Sequence, residues 1–357
     1  MKKKYLIEQD VKQFSADKIL KHLDKVAEWQ KMGDTFPITV EIDLTNVCNN
    51  KCPRCFGFFG NDKSSMDLES AKSIIKQIRE MGGRGLTFTG GGEPSCNPHL
   101  AEVIRYAKDL GLDVALITNG LSFSKEDART FVECCTWLRV SLDAGSPEVY
   151  KRTHGMDEKS FERTVENTRV LVRLKRETKS DCTLGVGYLT DNGLGEDMYR
   201  CTELCKEIGV DYIQFRPFLR RFGEEEIDYD FEDVLPWIDR CSELAGDGFD
   251  VLFSKHKYDS MQAGDTGRNY GICYGHFFAT TIGADQKIYI CCHMRGVEKY
   301  CFGDLGKNTL KEIWNSEQRK RAFSNIDFRD CPPLCRCNTF NQVLWNIAQN
   351  VNHRNFL

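Results

Sequence analysis

The 357-residue chain reads as an α/β protein, a partial (β/α)6 barrel followed by a small C-terminal cysteine-rich β-hairpin/helix domain. Two observations predict this. Between residues 38 and 217, strand-like apolar runs alternate with amphipathic helical runs, the pattern of a parallel sheet with right-handed crossovers. The 17 cysteines also crowd at two places, three within Cys48–Cys55 and seven at or after Cys273.

Residues 1–37 form a helical preface: Ile19, Leu20, Leu23, Val26 and Trp29 recur at helical spacing, and Gly33 can end the helix. The strand candidates are 38–44, 85–89, 113–118, 137–142, 183–190 and 211–216. Amphipathic helices run between them, at 98–110, 125–135, 158–177 and 196–208. The first, 67–81, carries Leu68, Ala71, Ile74, Ile75 and Ile78 on one face and stops at Gly82. Six strand–helix repeats wind into a TIM-like barrel over 38–217, with its chemistry expected at the C-terminal strand ends. Residues 218–272 read as a connection: a charged linker (218–230), a helix (231–245), a strand (249–253) and a polar loop (256–272). The cysteine-rich domain occupies 273–357.

A formal net charge of −4 gives no reason to expect a nucleic-acid surface. Lys2-Lys3-Lys4 precedes an apolar run too short for a signal peptide, and no stretch reaches the roughly 18 apolar residues of a membrane span. A soluble, cytoplasmic protein is expected. In a reducing cytosol, clustered cysteines point to metal more than to disulfides. Cys134, Cys135, Cys201, Cys205 and Cys241 lie on helix patterns and read as core residues.

The main motif is Cys48-Asn49-Asn50-Lys51-Cys52-Pro53-Arg54-Cys55, a Cys-x3-Cys-x2-Cys loop after the first barrel strand. Three thiolates can hold three irons of a four-iron cube and leave the fourth open to a ligand. The bland alternative is a zinc site or three unligated thiols. Thr87-Phe88-Thr89-Gly90-Gly91-Gly92-Glu93-Pro94 ends the second strand, where glycines allow close backbone approach and carbonyls or Glu93 can accept from an ammonium group.

These two motifs, in this order on successive strands, resemble the signature of the radical S-adenosylmethionine (SAM) superfamily. The resemblance implies that Cys48, Cys52 and Cys55 hold a [4Fe–4S] cluster whose open iron binds SAM. One electron then cleaves SAM to methionine and a 5′-deoxyadenosyl radical, which abstracts hydrogen from substrate. It further implies cofactor contacts from Gly91, Gly92 and Glu93, and from Asn119, Ser141, Asp143, Arg152 and Arg216 at later strand ends. Arg54 departs from the family pattern, which places an aromatic residue just before the third cysteine.

The C-terminal region is similar to the SPASM/Twitch extension of that superfamily. Ile282 to Tyr289 reads as a hairpin leading to Cys291, and Cys331-Pro332-Pro333-Leu334-Cys335-Arg336-Cys337 as a late cysteine knot. The resemblance implies a second, auxiliary [4Fe–4S] cluster held by Cys273, Cys291, Cys331 and either Cys335 or Cys337. Cys292 is set aside because neighbours on a strand point to opposite faces. Zinc held by the same cysteines is the alternative. Cys301 or Cys96 would serve as hydrogen donor to a substrate radical if one is needed.

The expected function is a radical SAM oxidoreductase-type enzyme acting on a small molecule or carbohydrate, with flavodoxin or ferredoxin as electron donor. The short stretch before the first strand favours this over a peptide-modifying maturase (thioether or C–C crosslinking, epimerisation) that uses a separate recognition protein. A non-catalytic zinc-binding protein is the alternative of another class.

Overall fold

A run of parallel strands forms the wall that positions every candidate site residue. The computed structural model describes residues 6–7, 15–57, 62–218, 230–262, 268–332, 335–350 and 352. Its strands are β1 (Leu6–Ile7), β2 (Thr39–Asp43), β3 (Gly85–Thr89), β4 (Asp113–Thr118), β5 (Trp137–Ser141), β6 (Thr183–Thr190), β7 (Tyr212–Pro217), β8 (Asp250–Phe253), β9 (Ala279–Ile282), β10 (Lys287–Tyr289) and β11 (Cys301–Asp304). They make one sheet in the order β1-β8-β7-β6-β5-β4-β3-β2-β9-β10-β11. Pairing is parallel from β1 to β9, and antiparallel from β9 to β10 and β10 to β11.

Side-chain alternation sorts the wall into two faces. Val40, Ile42, Leu86, Phe88, Val114, Leu116, Leu138, Val140, Leu184, Val186, Ile213 and Phe215 join the core cluster under the helices. Their neighbours Glu41, Asp43, Arg139, Gln214 and Arg216 therefore point to the barrel interior.

The covering helices are α1 (Leu23–Met32), α2 (Leu68–Glu80), α3 (Leu100–Asp109), α4 (Lys125–Cys134), α5 (Pro147–His154), α6 (Glu158–Thr178), α7 (Gly195–Ile208), α8 (Phe231–Ser242) and α9 (Lys255–Gln262). Beyond them lie α10 (Leu310–Trp314), α11 (Glu317–Ser324) and α12 (Asn338–Ala348). Local chemistry sets their ends. The Asp67 side chain caps α2 by accepting from Ser70 N, and Ser124 with Asp127 forms a capping box on α4. In α2 the buried stripe Ala71, Ile74, Ile75 and Ile78 packs on the sheet, each large apolar side chain contributing roughly 1.5–3 kcal/mol.

The six expected barrel strands and the helices between them are present. Four features differ from expectation. The preface contributes β1, a two-residue strand beside β8, too short to leave a periodic signal. Helix α5 is bracketed by N-cap Ser146, Pro147 and left-handed Gly155, signals that its short, mixed face hides. Helix α9 occupies part of the expected loop 256–272. The cysteine-region hairpin extends the barrel sheet, because β9 pairs with β2. Most of the charged linker, 219–229, lies outside the described residues. Trp29 of α1 packs with Ile19, Val26, Ile38, Phe278 and Leu344, joining the preface to the C-terminal region.

Candidate active site between two cysteine loops

The Cys48–Cys55 loop leaves β2 and is clamped from two sides. On one side it meets the glycine turn. Gly92 N donates to Thr45 O at 3.0 Å and Glu93 N to Val47 O at 2.9 Å. A Cβ on Gly92 would lie 2.2 Å from Val47 O, and one on Gly57 would lie 2.5 Å from Gly90 O. The glycines are there because two backbones touch. On the other side is the C-terminus of α5, where Lys51 N donates to His154 O at 3.0 Å. A Cβ on Gly155 would sit 2.4 Å from Lys51 O. His154 stacks on Tyr150 with ring centroids 4.3 Å apart, and its Nε2 lies 3.2 Å from Ser141 O.

Glu93 is buried beneath this junction and both its carboxylate oxygens accept from protein donors. Oε1 accepts from Ser95 N (3.0 Å), Ser95 Oγ (2.8 Å) and Thr118 Oγ1 (2.5 Å), and Oε2 accepts from Asn119 N (2.7 Å). Burial pushes its pKa up, against these hydrogen bonds. Asn119 Nδ2 donates to Asn49 Oδ1 at 2.6 Å, inside the cysteine loop. Glu93 and Asn119 thus hold the loop.

The remaining rim residues separate by position. Asp143, two residues past β5, has φ +47, a left-handed conformation that Asp tolerates, and accepts from Leu189 N at 2.6 Å. Ser141 is half-buried beside it. Arg152 shares Asp191 with Arg54, at 3.3 and 2.8 Å, and the Arg54 guanidinium lies 5.3 Å from the Phe218 ring centre. Arg216 reaches the barrel interior. Cys96 lies close enough to Cys48 and Glu93 for their charge to raise its thiol, which burial already pushes up, to about 11. Cys301 lies elsewhere: its surroundings are Gly303, Glu298, Lys287 and Asp285, in an outer cavity of about 290 Å³.

The second cysteine group is brought together as expected. The thiols that act on Cys291 are those of Cys335, Cys273 and Cys331, and those that act on Cys337 are Cys335, Cys273 and Cys291. Burial pushes Cys273 and Cys331 up to about 12. Cys335 falls to about 7 because the Cys337 thiol hydrogen-bonds to it. Strand alternation does not separate Cys291 from Cys292, since β10 stops at Tyr289 and a 3-10 turn, Cys292–Met294, follows. Cys292 instead faces Cys291, Arg295 and Cys335.

The two cysteine groups face each other across named contacts. Phe56, next to Cys55, meets the His293 ring edge-on at 5.6 Å. His293 Nε2 accepts from Arg336 N at 3.3 Å, and Arg336 separates Cys335 from Cys337. Arg336 also pairs with Glu41, while Arg295 pairs with Glu41 at 3.3 Å and Asp43 at 2.6 Å. The Arg336 side chain is exposed beside this pair. These links were not readable beforehand. Arg295 and His293 carry no motif.

The donor set fits iron–sulfur clusters. Cys52 senses both Cys55 and Cys48, and burial raises it strongly. Thiols so placed ionise only against positive charge, which iron supplies. Among the described residues, no helix is long and apolar enough to cross a membrane.

Comparison with known proteins agrees with this geometry. The radical SAM superfamily pattern matches residues 42–198, and an iron–sulfur cluster-binding domain of the SPASM type matches 273–338. The chain therefore belongs to the radical SAM superfamily and carries a SPASM-type auxiliary domain. Its cofactors are a SAM-binding [4Fe–4S] cluster, SAM and an auxiliary cluster. An AdoMet-dependent heme synthase from Methanosarcina barkeri is 25% identical over 310 residues, covering 79% of this chain and 83% of that one. A SAM-dependent nucleotide dehydratase from Flammeovirga pacifica is 30% identical over 118 residues, 31% of this chain and 40% of that one. In fold, the chain resembles Streptococcus suis SuiB bound to its precursor peptide SuiA. The TM-score is 0.64 at 16% identity, over 88% of this chain and 73% of that one.

Proposed function

We propose that this enzyme oxidises a small-molecule substrate held between the two cysteine groups. The observation that carries the proposal is that the two cysteine loops touch: Phe56, next to Cys55, meets His293, and Arg336, between Cys335 and Cys337, pairs with Glu41 of β2. When bound, the cofactors supply one-electron cleavage of SAM, hydrogen-atom abstraction by the resulting 5′-deoxyadenosyl radical, and an acceptor for the second electron as the substrate loses a proton. Cys48, Cys52 and Cys55 would hold the first cluster. Cys273, Cys291 and Cys331, with Cys335 or Cys337, would hold the second. The Gly90–Gly92 backbone, shaped by Glu93 and Asn119, would receive the SAM amino group. Ser141, Asp143, Arg152 and Arg216 would line its remaining edge. Cys96, beside Cys48, is better placed than Cys301 to donate hydrogen. A flavodoxin or ferredoxin of the cytoplasm would deliver the first electron.

A small molecule is favoured because the relative that matches most of the chain is named for making heme, and the shorter match for acting on a nucleotide. SuiB binds a peptide, so a peptide substrate is the second reading. The test supplies the reconstituted enzyme with SAM, reductant and either the small-molecule or the peptide fraction of a cell extract. Increased 5′-deoxyadenosine with the small-molecule fraction alone supports the proposal. Increase with the peptide fraction alone sinks it.

A further inference from the structure

The auxiliary cysteine group is lined with N–H donors aimed at sulfur. The Cys291 thiol accepts from His293 N, that of Cys273 from Gly275 N and His276 N, and that of Cys335 from Cys337 N and Asn338 N. Donors so placed favour charged sulfur. His293 adds a side chain to this set. Its Nε2 accepts from Arg336 N at 3.3 Å. A ring nitrogen that accepts carries no hydrogen, so the hydrogen of the imidazole sits on Nδ1. Nδ1 is buried and has no hydrogen-bond partner among the described residues. Three contacts hold the ring in place. The backbone is tied to Cys291, Nε2 to the segment between Cys335 and Cys337, and Phe56 packs edge-on at 5.6 Å with the ring planes 89° apart.

An N–H group buried without an acceptor is costly, and a folded protein that keeps one calls for a group outside the chain to fill it. His293 bridges Cys291 and the Cys335–Cys337 segment, so a sulfur of a cluster held between them is the acceptor that its position serves. We infer that His293 donates its Nδ1 hydrogen to a sulfur of the auxiliary cluster and thereby raises the potential of that cluster. A hydrogen bond to cluster sulfur stabilises the more negative, reduced form. A raised potential suits a cluster that accepts the second electron from the substrate. The inference rests on the reading that Cys273, Cys291 and Cys331, with Cys335 or Cys337, hold that cluster.

Cys52→Ala protein, reconstituted without air, would carry the auxiliary cluster alone. Its midpoint potential would be read by a redox titration followed by electron paramagnetic resonance, with iron analysis and circular dichroism as checks on loading and fold. In this background His293→Leu should shift the potential to more negative values. His293→Asn, whose amide N–H takes the place of the Nδ1 N–H, should recover most of the shift. In protein carrying histidine isotopically labelled at Nδ1 alone, pulsed resonance on the reduced cluster should show a coupled label that His293→Leu removes. An unchanged potential in fully loaded His293→Leu would overturn the inference. So would absence of the coupled label, which decides the matter even where His293→Leu loses iron. An acceptor on the substrate instead would leave both readouts unmoved and overturn it in the same way. Cys52→Ala protein without bound iron would overturn the cluster reading and the inference with it, and iron analysis reveals that before any potential is measured.

Discussion

Replacing Gly92 with alanine tests how the SAM-cluster loop is held. The new methyl would lie 2.2 Å from Val47 O, 2.6 Å from Asn46 C and 2.7 Å from Val47 C, all backbone atoms. Ordinary contacts need about 3.5 Å, so the loop must retreat by roughly 1 Å. Overpacking of this kind costs about 1–3 kcal/mol. The retreat also stretches Gly92 N–Thr45 O and Glu93 N–Val47 O, each worth about 1 kcal/mol. The sum is about 3–5 kcal/mol, and the three thiols lose their register. Gly111→Ala is the control: Gly111 has φ +76 but nothing within 4 Å of the added carbon, so only about 1–2 kcal/mol of backbone strain applies. Anaerobic guanidinium unfolding with iron and sulfide analysis reads both effects. Equal stability of the two variants, with full iron in Gly92→Ala, would refute the reasoning.

Three other substitutions follow from the same geometry. Glu93→Gln turns an amide NH2 toward groups that already donate, and should cost about 2–3 kcal/mol with SAM affinity falling alongside; lost SAM binding at unchanged stability would mean that Glu93 contacts SAM directly. Gln286 turns the β9–β10 hairpin at φ +62, so Gln286→Gly should raise stability by about 0.5–1 kcal/mol in calorimetry; a lower melting temperature would contradict this. Burial lifts the Asp43 carboxyl to about 6, despite Arg295, so the folded protein holds that proton more tightly than the unfolded chain. Its contribution is greatest below the ordinary carboxylate range and is lost as pH rises through about 6. Relative to Asp43→Asn, the parent should lose on the order of 1–2 kcal/mol between pH 5 and 7, and a flat difference would count against it.

The barrel was legible because each of its strands and helices carries its own period and stop signal. Asp67 and Gly82 bracket α2 in sequence as they do in space. The cysteine groups were legible because spacing and thiol chemistry are local. What escaped depends on distant partners. Nothing near Arg295 in sequence shows that it meets Asp43 and Glu41, more than 250 residues away. That Glu93 accepts from Thr118 and Asn119 is not readable from its own turn, because those donors come from another strand. Gly155 was visible as a helix end, but its approach to Lys51 needed the fold.

The most direct test compares Cys52→Ala with Cys331→Ala by iron content and 5′-deoxyadenosine formation in anaerobically reconstituted protein. The parent should hold about eight irons in two clusters and cleave SAM. Cys52→Ala should keep about half the iron and lose SAM cleavage. Cys331→Ala should lose iron from the other cluster while still cleaving SAM. Zinc in place of iron in protein prepared without air, or cleavage that survives Cys52→Ala, would contradict the account.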